Sequence, residues 1–246
     1  MMKRLYLPLI ICAALLTTAC LETINKDLAI GAGVDIFKSA TVSDSEVIGL
    51  AKVSAKELDS KNKVAGPENP YTKRLNKVFG KHKNEDGLAL NYKVYLSDTF
   101  NAFAMPDGTI RVYSGLMDEL SDEELLAVIG HEIGHVKKEH SLRSYRSAYL
   151  SSGIRKGAAS LGGTGGELVA SQLGAIGEQF VSSQFSQAHE LEADQYGMDL
   201  MKKHGYNPRA MITAFQKMKK VAGEGGGIMS SHPSTSKRIE KMESQL

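Results

Sequence analysis

The chain has 246 residues, enough for one domain with a short appendage, and its 42% apolar and 24% charged content is that of a globular protein, not a disordered one. Thirty basic residues stand against 28 acidic ones, too even a balance to point to a nucleic-acid partner. Cysteine is scarce, with only Cys12 and Cys20, so a disulfide scaffold is excluded.

The first nineteen residues read as a signal peptide. MMKR is a short basic start, LYLPLIICAALL is an apolar run too short to span a bilayer, and TTAC closes it. Removing this leader takes Lys3 and Arg4 with it, leaving 28 basic residues against 28 acidic. Ala19 before Cys20 resembles a bacterial lipobox, although Thr17 stands where that pattern usually has Leu. Cys20 is then the expected lipid-bearing N-terminus, and no cysteine is left to pair with it. Leu21 replaces the Asp that marks inner-membrane retention, which favours an outer-membrane lipoprotein facing the periplasm. The alternative is ordinary cleavage near Ala19 and a soluble periplasmic protein. The expected division is a signal peptide (1–19), a lipidated N-terminal linker (20–42) and a folded domain (43–246).

Within that domain, SDSEVIGLAKVSAKELDSK (43–61) opens on capping residues and has helical apolar spacing. GPENP (66–70) is a turn, and YTKRLNKVFGKH (71–82) predicts a second helix. After the break at NEDG (84–87), NYKVYLS (91–97) alternates as a strand does. NAFAMPDGTIRVYSGLM (101–117) places two apolar segments around a PDG turn, the signature of a hairpin. SDEELLAVIGHEIGHVKKEH (121–140) begins with a capping box, Ser121 and Glu124, and reads as one helix to its end. Eight glycines between 153 and 177, and GEGGG at 223–227, predict linkers or a mobile cover over the site. Residues 178–205 predict another long helix, ended by Gly205 and Pro208.

Three of the seven histidines fall in GHEIGHVKKEH (130–140). His131 and His135 are four apart, share a helix face and can reach one zinc ion together, while Glu132 lies beside it as a general base. A catalytic zinc needs a third protein ligand. On a continuous helix His140 faces the other way, and Glu139 is two turns off, about 12 Å along the axis. The third ligand must come from another element. In HELEADQYG (189–197), Glu190 and Asp194 share a face. Glu190 is the expected ligand, and Asp194 would accept the free N–H of a ligand histidine. Glu192 faces away, so its loss is expected to be nearly silent.

HExxH followed by ExxAD, with NAFAMPDGTIRVYSGLM before and HPSTSKRI after, resembles metallopeptidase family 48 from about residue 40 to the C-terminus. The resemblance implies an α+β zincin of gluzincin type, mostly helical, with a small β-sheet bordering the cleft. It also implies one Zn²⁺ per chain held by His131, His135 and Glu190, with Glu132 as base and Asp194 behind a ligand. His232 in the HP block has two possible roles. With Arg238 it could stabilise the oxyanion, or it could occupy the open zinc position until substrate displaces it. The second is favoured by the glycines before it. The implied activity is cleavage of internal peptide bonds in unfolded or misassembled envelope proteins, with substrate added as a strand at the edge formed by 101–112. From another class comes a zinc-containing envelope assembly factor with little proteolysis.

Overall fold

The computed structural model describes residues 42–152, 166–223, 227–233 and 236–246. The signal peptide, Cys20, most of the 20–42 linker, and part of each glycine cluster lie outside the described residues.

Helix α1 (Asp44–Lys61) is followed by α2 (Pro70–Phe79). Asn69 caps α2 by accepting from the Tyr71 N–H, and Pro70 fills the first position, where its missing N–H costs nothing. A 3₁₀ turn (Gly80–His82) leads into the two-residue strands β1 (Asn84–Glu85) and β2 (Leu88–Ala89), which pair antiparallel. The main sheet follows. Its strands β3 (Asn91–Tyr95), β4 (Ala102–Ala104) and β5 (Thr109–Tyr113) lie in the order β3-β5-β4. β3 runs parallel to β5, with Val94 opposite Val112, while β4 closes the expected hairpin, with Phe103 opposite Arg111. The edge strands are therefore β3 and β4, and within 101–112 only β4 lies at an edge, with its three residues buried. β5 sits in the centre, so the expected docking edge of 101–112 narrows to 102–104.

A short helix, α3 (Ser114–Glu119), precedes α4 (Asp122–Lys137). The capping box is formed: Ser121 Oγ accepts from the Glu124 N–H, and Glu124 accepts from the Ser121 N–H at 2.8 Å. Three acids in the first turn meet the helix dipole. Every residue from Glu124 to Val136 is buried, which makes α4 the axis of the core. The helix does not continue to His140. It ends at Lys137, Glu139 adopts a left-handed conformation (φ 59°), and α5 (His140–Ser151) starts in a new direction.

Two further expectations are corrected. Part of the glycine-rich stretch belongs to helix α6 (Gly166–Val181), because Gly174 and Gly177 let its backbone approach Glu57, Ser54 and Leu58 of α1. The single helix expected over 178–205 is two. It breaks after Val181 and restarts as α7 (Gln187–Lys203), where Ser186 caps by accepting from the His189 N–H. Helices α8 (Arg209–Ala222), α9 (Ile228–Ser231) and α10 (Ser236–Glu243) complete the unit.

Helices α4 and α7 cross with their backbones in contact. A Cβ built on Gly130 would lie 3.4 Å from the Gly197 Cα, and one on Gly134 would lie 3.0 Å from the Ala193 Cα. The missing side chains let the two histidines of α4 meet the carboxylates of α7.

Candidate metal centre

His131 and His135 project from one face of α4, and their Nε2 atoms approach to 3.0 Å. Glu190 in the first turn of α7 brings its carboxylate to 3.3 Å from His135 Nε2 and 3.6 Å from His131 Nε2. His232, at the end of the four-residue α9, inserts Nδ1 at 3.2 Å from His131 Nε2 and 3.0 Å from Glu190 Oε1. One donor atom from each of these four residues lies within 4.8 Å of all the others, and all four side chains are buried.

The proton positions show what this cluster suits. His131 Nδ1 lies 2.9 Å from Asp194 Oδ1, a carboxylate that can only accept. Nδ1 therefore carries the hydrogen, and a bare lone pair on His131 Nε2 faces the cluster. With the carboxylate of Glu190 and the nitrogens of His135 and His232 converging on the same point, the donors fit a divalent cation with nitrogen and oxygen ligands. Separations of 3.0–3.6 Å among these donors are short enough for one ion to be shared between them.

Electrostatics follow from burial and charge. Burial would raise the Glu190 carboxyl, but the imidazoles of His232, His135 and His131 around it outweigh burial and hold the group well below its ordinary range. Burial pushes His135 well down, toward the neutral imidazole that can ligate. Glu132 goes the other way. Burial raises its carboxyl, against the pull of His232 and His131, and its Oε1 is buried without a hydrogen bond, 3.4 Å from His232 Nε2. A carboxyl whose hold on a proton is strengthened by burial, and whose Oε1 lacks a hydrogen bond, is suited to taking a proton.

Arg238 is buried too, among the carboxylates. Its Nε and Nη2 donate to Asp194 at 2.8 and 2.7 Å, Nη1 donates to the Pro233 carbonyl at 2.8 Å, and Nη1 lies 2.6 Å from Glu190 Oε2. The guanidinium clamps the carboxylates of Asp194 and Glu190.

Further neighbours join the site through the fold and not through local spacing. The Phe185 ring stacks on His135, with centroids 3.9 Å apart. Beside Glu132, Phe103 and Ala104 of β4, together with Phe180 and Phe185, line a small pocket that also reaches His232. His140 lies behind His135 instead of pointing away, because the turn at Glu139 redirects the chain.

A helical core with a small sheet at its rim, and HExxH facing a carboxylate on a second helix, define a zincin-type metallopeptidase. Residues 73–246 match the model of peptidase family M48, and the chain belongs to that family. It is 38% identical to metalloprotease LoiP of Escherichia coli over 235 residues, covering 95% of this chain and 93% of that protein. Metalloprotease YcaL of the same organism is 36% identical over 238 residues, 95% and 94% of the two chains. The β-barrel assembly-enhancing protease of Escherichia coli is 28% identical over 189 residues, 69% of this chain and 37% of that longer one.

Proposed function

We propose that the protein is a zinc-dependent endopeptidase of the bacterial cell envelope that cleaves unfolded or misassembled proteins there. The observation that carries this reading is the convergence of His131, His135 and Glu190 on one point, with Glu132 alongside and its Oε1 without a hydrogen bond. Zinc bound by those three residues would acidify a water molecule and polarise the scissile carbonyl. Glu132 takes the proton of the attacking water and returns it to the departing amine. Asp194 keeps His131 in the ligating tautomer, and Arg238 holds Asp194 and Glu190 in place. This reading requires an extended peptide, which would add along the unpaired side of β4 once the segments that bury Ala102, Phe103 and Ala104 move aside. Unfolded segments meet that requirement; a folded sheet does not.

The envelope location rests on the leader and on Cys20, and the anchor on Cys20 alone. One relative, a β-barrel assembly-enhancing protease, suits the same compartment. Among the described residues no helix is long and apolar enough to cross a membrane. A second reading, an assembly factor that seldom cleaves, draws support from His232, which sits in the fourth ligand position.

One experiment tests both. Purified protein should degrade unfolded casein, lose that activity with a chelator, and regain it with zinc. Glu132→Gln should retain zinc yet stop cleavage. Normal turnover in Glu132→Gln would refute the mechanism, and full rescue of a deletion phenotype by that variant would favour the assembly factor.

A further inference from the structure

We propose that His140 and Glu192 form an imidazole–carboxylate relay that positions the metal ligand His135. The inference rests on the reading of His135 as a ligand and extends it.

The argument is one of hydrogen accounting. His135 Nε2 faces the metal cluster, and its other nitrogen, Nδ1, lies 3.2 Å from His140 Nδ1. Two imidazole nitrogens at that distance bond only if one carries hydrogen and the other does not. For Nε2 to ligate it must be bare, so the hydrogen of a neutral His135 is on Nδ1 and His140 Nδ1 accepts it. A neutral His140 then has its single hydrogen on Nε2, and Nε2 lies 3.0 Å from Glu192 Oε2. An ionised carboxylate accepts only, so the row closes in one direction: His135 donates to His140, which donates to Glu192. The opposite polarity would put a hydrogen on His135 Nε2 and expel it from the metal.

The other ligand histidine is held the same way with one fewer link, since His131 Nδ1 meets Asp194 at 2.9 Å. Both terminal carboxylates stand on α7. Asp194 faces α4 directly and is buried, whereas Glu192 is on the opposite side and half exposed. The helix-face argument that leaves Glu192 idle considers α7 alone. The left-handed turn at Glu139 carries His140 under His135 and within reach of Glu192. His140 is buried completely and stacks on His189, with centroids 4.2 Å apart and planes at 16°, so its ring cannot swing freely.

Because the relay ends at the surface, it can be cut without touching the core. Zinc affinity, measured by competition with a chromogenic chelator, should fall ~10-fold in Glu192→Ala and further in Glu192→Lys, which also sets a positive charge against His140. Glu192→Gln keeps an acceptor oxygen and should recover much of the loss. His140→Ala should cost up to ~100-fold, read alongside the melting temperature of the metal-free protein to separate it from misfolding. Nitrogen-15 histidine spectra of the zinc-loaded protein should show His140 protonated on Nε2. Zinc affinity unchanged in both Glu192→Ala and Glu192→Lys, or hydrogen on His140 Nδ1, overturns the relay. Glu190→Ala is the control on the underlying reading: if it binds zinc like the parent, the ligand assignment itself is wrong, whatever the Glu192 variants do.

Discussion

His232 is the residue whose role the geometry sharpens most. An oxyanion donor must stand beside the open coordination position, aimed at where the substrate oxygen will be. The Nδ1 atom of His232 instead stands among the ligand atoms, 3.2 Å from His131 Nε2 and 3.0 Å from Glu190 Oε1. That is the position of a competing ligand. The chain is anchored just before it, because Gly227 packs against Phe100 and the Ile228 N–H donates to the Phe100 carbonyl at 2.8 Å. His232→Ala should therefore raise kcat/KM on an unfolded substrate. A drop in kcat of roughly 10²–10³ would instead identify an oxyanion donor, and unchanged kcat and KM would leave the residue with neither role. His131, His135 and Glu132 are legible in the sequence because one helix fixes their spacing. Glu190 needs a second helix, which the resemblance supplies. The position of His140 beside His135 is not legible, because it is made by the left-handed turn at Glu139, which local spacing cannot encode.

The pairing of α4 with α7 decides whether the ligands meet, and small residues decide that pairing. Gly130 and Gly134 both lie on the contact face, yet they should respond differently to substitution. A Cβ on Gly130 meets nothing nearer than 3.4 Å, so Gly130→Ala should be tolerated, with the usual helix gain of about 1 kcal/mol offsetting any crowding. A Cβ on Gly134 would stand 3.0 Å from both the Cα and the carbonyl oxygen of Ala193, and backbone atoms cannot swing aside. Gly134→Ala should destabilise by about 1–3 kcal/mol before the helix gain is counted. It should also weaken zinc binding, because Ala193 lies between Glu190 and Asp194. Thermal unfolding and chelator competition on the two variants check this, and equal behaviour would show that the crossing is not set by these glycines. At this scale α1, α2, the start of α4 and the hairpin are readable from caps, turn residues and alternation. The break between α6 and α7 is not, because the apolar periodicity continues through it. Nor is the helical state of 166–177, where glycine is favoured by close packing on α1 against its own helix propensity.

Over the whole molecule, α7 joins two polar clusters of opposite character. Its N-terminal half carries Glu190 and Asp194. Beyond its C-terminus His204 joins a second grouping in which His82 Nδ1 and His204 Nε2 each lie 3.0 Å from Glu85 Oε2. Here Lys203 already neutralises the carboxylate, at 2.7 Å from Glu85 and 2.6 Å from Asp86, and Tyr196 donates to Asp86 at 2.8 Å. The grouping is read as an ion-pair clasp that ties the small hairpin β1–β2 to the end of the second active-site helix. Its pH behaviour follows from two shifts of the same sense. Burial would raise the Glu85 carboxyl, but hydrogen bonds from Lys203, His82 and His204 outweigh it and bring it from 4.5 to about 2. Burial also lowers His82 below 6.5, against the pull of Glu85. In each case the unfolded chain binds protons more readily than the folded one, so the contribution is present at neutral pH and is lost on acidification. The His82 part should fade below about pH 6.5, and the Glu85 part between about pH 4.5 and 2. In metal-free Glu190→Ala protein, which removes the catalytic site from the measurement, the midpoint of urea unfolding should fall as pH drops from 7 to 3. Adding Glu85→Gln should lower the midpoint at pH 7 and flatten that fall. A double variant that is as acid-sensitive as its parent would show that the acid-labile part of the fold lies elsewhere.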